Sequence, residues 1–393
     1  MSSASFTEAP TELVDKIFSE LQDDKNALRA CTQVCKRFLI PSHRHLYSTI
    51  CLPPPGGTCT KPLRIFQRYP YLGSFVQHLS LSQKIDCSHN LVDDPALPKL
   101  LDLLSRVSSL HVDVWFDWDY MYHDTKQAFI RLFSLEALTR ITIVSAQRPP
   151  FPEGILRLPP SLTHLEFAPH GEENATFLVD TNPLYYGAVP NKPCLTTLRL
   201  THSFYQSTAD CILSARFPVN IQSLDTLHVK VEFMLDEHKA AWRIIRPTKM
   251  TLRRLEIDMI KPPRDRNPKA DPFNLANLPR LCTLVVRFEI VIYLLREYNP
   301  VSWLMDLLRT LPEQSTISLI ELEIRIDDEE RHSINFVLEL TRKIHWARLD
   351  FLLTQPNLVY LKEVRLRLSP DCAFIGCLLP EASKRGLLSF ALD

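Results

Sequence analysis

One pattern recurs along most of this chain and limits what it can fold into. Past residue 70 the motif apolar-x-x-apolar-x-apolar returns ten times. It starts at Val76, Val107, Leu138, Leu162 and Leu195, then at Leu224, Leu252, Leu281, Leu319 and Leu361. The copies lie about 24 to 42 residues apart, an interval that marks stacked repeats. In each copy the last two apolar positions alternate with other residues, which predicts a short strand with one buried face. Between copies lie helical stripes: Leu97, Leu100, Leu101 and Leu104; Phe129, Leu132 and Phe133; and, behind the cap signal Asn299-Pro300, Leu304, Leu307, Leu308 and Leu311. Strand, turn and return helix repeated in this way predict an α/β chain, an irregular strand–helix solenoid over residues 71–393. Its terminal cap is expected to include Leu387, Leu388, Phe390 and Leu392.

Thirty positions flank and separate the paired apolar residues of the ten copies, and only Val144, Ala168 and Val285 among them are apolar. A parallel sheet covered on both faces reads as continuous apolar runs, so one face of this sheet is expected to be wet. Charge gathers on its C-terminal half. Arg287, Arg325, Arg365 and Arg367 fall there, and arginine grips carboxylates and phosphates through paired hydrogen bonds. These four are the candidate contacts for a binding partner of this face.

The first fifty residues obey a different rule. Leu13, Ile17, Phe18 and Leu21 recur at helical spacing, behind Pro10 and with Glu12 and Asp15 near the positive helix end. Gln22–Asn26 breaks the stripe, with Asp24 or Asn26 as candidate caps. Leu28, Cys31, Val34, Cys35 and Phe38 form a second stripe, which Pro41 is expected to end, and a turn leads to Leu46, Tyr47 and Ile50. A helical unit this small buries too little surface to be robust alone. It either packs on the repeat domain or offers apolar surface to a partner.

The run Ala9-Pro10-Thr11-Glu12-Leu13, then Ile17-Phe18, Leu21, Leu28, Cys31 and Val34-Cys35-Lys36-Arg37-Phe38, resembles the F-box. That family opens with Leu-Pro-x-Glu-Leu and closes with Val-Cys-Lys-x-Phe or Trp; Ala9 stands where it prefers Leu. The resemblance implies a module over residues 6–50 that binds the Skp adaptor of cullin–RING ubiquitin ligases. Pro10, Leu13, Ile17, Phe18, Leu28, Val34, Cys35 and Phe38 are then its contact or core positions. A linker is expected over 51–70. The repeats are similar to a divergent leucine-rich-repeat domain, without that family's Asn or Cys three residues after the last Leu; Ser203 and Glu232 occupy that place in two copies. Together the two resemblances imply a substrate-recognition subunit of a Skp–cullin–F-box ligase, non-catalytic, with an unknown client protein. The alternative is an F-box scaffold without ubiquitination clients.

Composition narrows the remaining classes. The chain has 393 residues, with 45 basic and 45 acidic side chains, so the basic excess of a nucleic-acid or anionic-membrane binder is missing. Only 8 residues are Gly, few for phosphate-cradling loops. No apolar stretch reaches the ~18 residues of a membrane span, and the polar Met1–Ser5 does not read as a signal peptide. A cytoplasmic or nuclear protein is expected, with the sequon at Asn174 unglycosylated and the 10 Cys reduced. No cofactor or metal is expected. Cys31 and Cys35 read as core thiols, as do Cys372 and Cys377. His164-x-Glu166 with Pro193-Cys194 is a fragment of a zinc-deaminase pattern, but Thr197 replaces its second Cys. Lys261–Lys269 and Asp327–Glu330 read as solvated charge runs, and the aromatic run Trp115–Tyr120 as core packing.

Overall fold

The N-terminal helices take their limits from local hydrogen bonding. Helix α1 (Thr11–Glu20) starts behind Pro10, whose carbonyl accepts the N–H groups of Leu13 and Val14 at 3.1 Å. Helix α2 (Lys25–Val34) is capped by Asp24, whose carboxylate accepts the N–H groups of Asn26 and Ala27 at 3.0 and 2.9 Å. It stops at Cys35, which is fully extended, and α3 (Lys36–Leu46) begins immediately. The second apolar stripe is therefore two helices broken at Cys35, not one helix ended by Pro41. Pro41 lies inside α3, where it forfeits one intrahelical hydrogen bond. Packing offsets that loss: Phe38 of α3 meets Phe18 of α1 edge to face, with ring centroids 5.5 Å apart. Val14, Phe18 and Leu28 form a small core of their own, with Leu21, Cys31, Phe38 and Leu46 packed around it.

The structure, a computed structural model, describes residues 10–53, 57–82, 90–118, 121–148, 158–168, 192–201, 206–214, 217–231, 235–259, 273–290, 299–326, 344–368, 375 and 377–392. The sequon, Lys261–Lys269, Asp327–Glu330, Cys372 and the residues Asp119 and Tyr120 lie outside them, as do the side chains of Trp115, Phe116 and Asp117. Trp118, at the end of that aromatic run, is buried.

The rest is one parallel sheet of twelve strands whose spatial order equals chain order. The first six are β1 (Thr49–Leu52), β2 (His78–Ser82), β3 (Ser109–Asp117), β4 (Arg140–Arg148), β5 (His164–Ala168) and β6 (Thr197–Leu200). The second six are β7 (Thr226–Val231), β8 (Arg254–Met259), β9 (Thr283–Ile290), β10 (Leu319–Ile326), β11 (Glu363–Leu368) and β12 (Leu388–Leu392). Parallel neighbours need a crossover, and helices supply several of them: α4 (Thr60–Arg68), α5 (Ala96–Leu101), α6 (His123–Phe133), α7 (Gln206–Leu213), α8 (Leu235–Ile245), α9 (Pro300–Arg309), α10 (Trp346–Leu353) and α11 (Pro380–Lys384). These helices also pack on each other in chain order, α4 on α5, α5 on α6, α7 on α8, α9 on α10 and α10 on α11. The main core lies between that layer and the sheet. It takes in the first apolar position of the copies from Val76 to Leu361, apart from the re-registered copy in β10, together with the inward strand residues.

Three expectations about this region change. Residues 51–70 are not a linker, because β1 pairs with β2 from Thr49 opposite His78 to Leu52 opposite Leu81, and α4 comes next. Tyr47, Ile50 and Leu52 thus form one more copy of the motif, ahead of the first one expected. At the other end, Leu388 and Phe390 form a strand aligned with Val364 and Leu366 rather than only a cap. In β10 the register sets Ile320 and Leu322 opposite Leu284 and Val286. That copy therefore starts at buried Ile317, two residues before Leu319.

A ladder of hydroxyls stitches successive strands together. Thr139 Oγ1 donates to the carbonyl of Ser108, Thr163 Oγ1 to Thr139 and Thr196 Oγ1 to Thr163, at 3.0 to 3.2 Å. Ser108 itself donates to Gln77, and Ser318 to Cys282. Backbone carbonyls at the strand entrances are thereby satisfied without an asparagine.

Candidate functional site

Two surfaces carry the residues singled out in the sequence. On the N-terminal helices the structure separates them by exposure. Phe18 and Leu28 are buried in the small core, while Ile17, Cys35 and Phe38 are half-buried. Pro10 is exposed, and so are Leu13 (50% of its surface) and Val34 (66%). Ile40, at 43%, joins them. It was missed because it lies off the Phe38 stripe of α3, and that offset was the available signal. A three-helix unit thus spends a few apolar side chains on its own core and leaves several large ones in water.

The unit is fastened to the sheet by aromatic contacts. Nδ1 of His43 on α3 lies 3.0 Å from the Tyr71 hydroxyl, in the 3₁₀ turn Pro70–Phe75, and the two rings stack. Tyr47 meets Phe66 of α4 edge to face, 6.0 Å between centroids.

The second surface is the sheet face opposite the helices. Because the strands are parallel and in register, side chains at equivalent positions line up across the sheet. On β5 to β11 these rows form two groups of ion pairs and hydrogen bonds, one around Arg287 and one around Glu321. Arg199 lies 4.0 Å from Glu166 and donates from Nε to Nδ1 of His228 at 3.2 Å. Nε2 of His228 is 2.8 Å from Asp258. His228 therefore lies between Arg199 and Asp258, one ring nitrogen toward each. Arg287 is the centre of the first group. It donates to Asp258, Glu256 and Glu323, each at 2.9 Å. Arg254 holds the other Glu256 oxygen at 2.6 Å, and Arg325 donates to Glu323. Arg367 and Arg365 lie 2.8 and 3.5 Å from Glu321, and Arg365 also bonds Glu363.

Electrostatics reflect this geometry. Burial pushes the Glu256 and Asp258 carboxyls up, but hydrogen bonds outweigh it, from Arg254 and Arg287 on Glu256 and from His228 and Arg287 on Asp258. Both carboxyls end below their usual range. Burial alone would lower Arg287, yet Asp258 and Glu256 raise it. Ser389 on β12 and Arg365 hold Glu363 low despite a smaller opposing effect of burial. Arg287, Arg325, Arg365 and Arg367 are on one half of the sheet, as the sequence suggested, but acids alternate with them. Each is engaged by a carboxylate of its own sheet. Sequence reasoning missed this because charge identity is visible in a sequence and cross-strand pairing is not.

His164 and Glu166, the deaminase-like fragment, lie on β5 with their side chains turned to other tasks. His164 is 2.8 Å from the Thr163 hydroxyl, and Glu166 accepts from Thr142 at 3.4 Å. Cys194 is exposed beside Asn220. Among the described residues no group of three or more His, Cys, Asp or Glu is placed to hold a metal ion, and no helix is long and apolar enough to cross a membrane. No protein-family model matches the chain, and no curated protein matches it.

Proposed function

We propose that this chain is a non-enzymatic substrate receptor of the Skp–cullin–F-box kind. Helices α1 to α3 are read as an F-box that docks on the Skp adaptor, and the twelve-stranded unit as a leucine-rich-repeat-like solenoid that presents a client. The observation that carries the reading is the exposure pattern of the helical unit. Its F-box-like sequence divides into a minimal core (Val14, Phe18, Leu28) and large apolar residues left in water (Leu13, Val34, Ile40). A surface of that kind suits a partner protein. The strands in chain order, several of them joined by return helices, support the repeat reading. The mechanism is proximity, with a client held where a separate enzyme reaches its lysines.

The test is co-purification of the full chain with the Skp adaptor. Leu13→Glu combined with Val34→Glu should abolish it, because each change puts a charge into a desolvated contact worth about 2 kcal/mol or more. Both side chains are exposed, so circular dichroism and melting should be unchanged. Undiminished adaptor binding by this variant contradicts the reading.

A further inference from the structure

The polar face is not uniform. From β5 onward its arginines and most of its described acids neutralise one another, so a ligand for those arginines has to break existing ion pairs. On β2 to β5 the picture reverses. His78, Ser109, Arg140 and His164 occupy the same register position on four adjacent strands: His78 pairs with Ser109, Ser109 with Arg140, and Arg140 with His164. His78, Ser109 and Arg140 can donate a hydrogen bond to a ligand, while Nδ1 of His164 is already engaged with the Thr163 hydroxyl. His78 and Arg140 are exposed, and Ser109 and His164 half-buried.

Of the seven arginines with described side chains on this face of the sheet, six have a carboxylate partner. Arg140 has none among the described residues. Its charge also reaches the neighbouring ring: His164 is held below its usual value by burial and by Arg140. The three acids on these strands, Asp113, Asp117 and Glu166, lie in other rows; Asp117 is opposite Arg148. Asp113 is opposite Ser82, and Glu166 is paired with Arg199. In the next row His111 and Thr142 face each other, adding a further imidazole and hydroxyl.

We infer that the His78–Ser109–Arg140–His164 row is the client-docking strip, and that it takes an anionic segment of a protein partner, bearing carboxylates or phosphates. The inference rests on the receptor reading above and specifies it. Three strand gaps of ~4.8 Å give the row a length of about 14 Å, which an extended peptide spans in about four residues. An anion here meets a guanidinium that has no carboxylate partner among the described residues, with the Ser109 hydroxyl on the next strand and the His78 ring one strand further.

The experiment uses the full chain and fluorescence anisotropy with three short labelled peptides: one rich in Glu, one rich in phosphoserine, and one rich in Gln. At least one anionic peptide should bind and the Gln peptide should not; the anionic peptide that binds identifies the source of the charge. Arg140→Glu should weaken binding by about tenfold or more, the loss expected for a charged hydrogen bond. Arg365→Glu should leave it unchanged. Failure of both anionic peptides, equal binding of the Gln peptide, indifference to Arg140→Glu, or loss on Arg365→Glu each overturns the inference. Adaptor co-purification is measured on the same samples. If peptides bind as expected but the wild-type chain fails to hold the adaptor, the receptor reading falls and the anion strip stands. If the adaptor is held and the peptides fail, the reverse applies.

Discussion

Removing Arg287 should damage the sheet more than any loss of a surface charge. Its side chain is 18% exposed and contacts Glu256, Glu323 and Asp258, which are 9%, 7% and 23% exposed. Two unit charges at contact distance attract by roughly 4 kcal/mol where the effective dielectric constant is about 20. Three such contacts offset the several kcal/mol lost in withdrawing each ion from water. With Met in place of Arg287, the three acids keep that penalty and lose their shared cation. Removing one partner of a buried pair costs about 3–5 kcal/mol. The residual exposure and the help of Arg254 and Arg325 favour the lower end, about 3 kcal/mol. Urea unfolding at pH 7 measures it. Because Glu256 and Asp258 are depressed when folded, their contribution is present above the ordinary carboxylate range and lost as pH falls through it. The gap between wild type and Arg287→Met should therefore close below about pH 4. Glu323→Gln on the Arg287→Met background should destabilise less than it does alone, since the pair shares one interaction. A variant within about 0.5 kcal/mol of wild type at pH 7, the usual range of neutral surface changes, refutes the ion-pair account.

Two further outcomes concern buried polar groups. His238 stacks on Phe273 and is held by burial at about 4 against an ordinary 6.5, so the unfolded chain takes up its proton first as pH falls. Its contribution is whole above pH 6.5 and declines toward pH 4, a change of roughly 3 kcal/mol; His238→Phe should remove that part of the acid sensitivity in urea titrations at the two ends of the range. Asp350, buried on α10, accepts the N–H groups of Glu381 and Ala382 at 2.8 Å and so ties down α11. Asp350→Ala should cost about 2 kcal/mol and speed hydrogen exchange in β12 before any other strand.

Much of the architecture was legible because the motif couples two periodicities. Alternation marked the strands, and the recurring first apolar residue marked the turn into each. The errors have physical causes. Ile317–Leu322 and Leu319–Ile324 both satisfy the motif, and only pairing with β9 chooses between them. Strand β1 was read as the end of one unit and the start of a linker, since Tyr47 serves both the helices and the sheet. Strand β12 lacks an apolar residue three positions earlier, where Arg385 stands. The break at Cys35 left no mark in the stripe, because Leu28, Cys31 and Phe38 keep helical spacing across it. The candidate site was legible as composition and not as geometry. The F-box-like positions were named together, but core and surface separated only once Phe18 and Phe38 were seen to meet. The four arginines were found without the acids that hold them.

The central claim is that α1 to α3 engage the Skp adaptor while the sheet stays free for a client. Hydrogen–deuterium exchange of the full chain, with and without purified Skp adaptor, tests it directly. The account predicts new protection confined to residues 10–46, including the peptides that carry Leu13, Val34 and Ile40, with the strands from β2 to β11 unchanged. No protection anywhere, or protection on the sheet face in place of the helices, contradicts it.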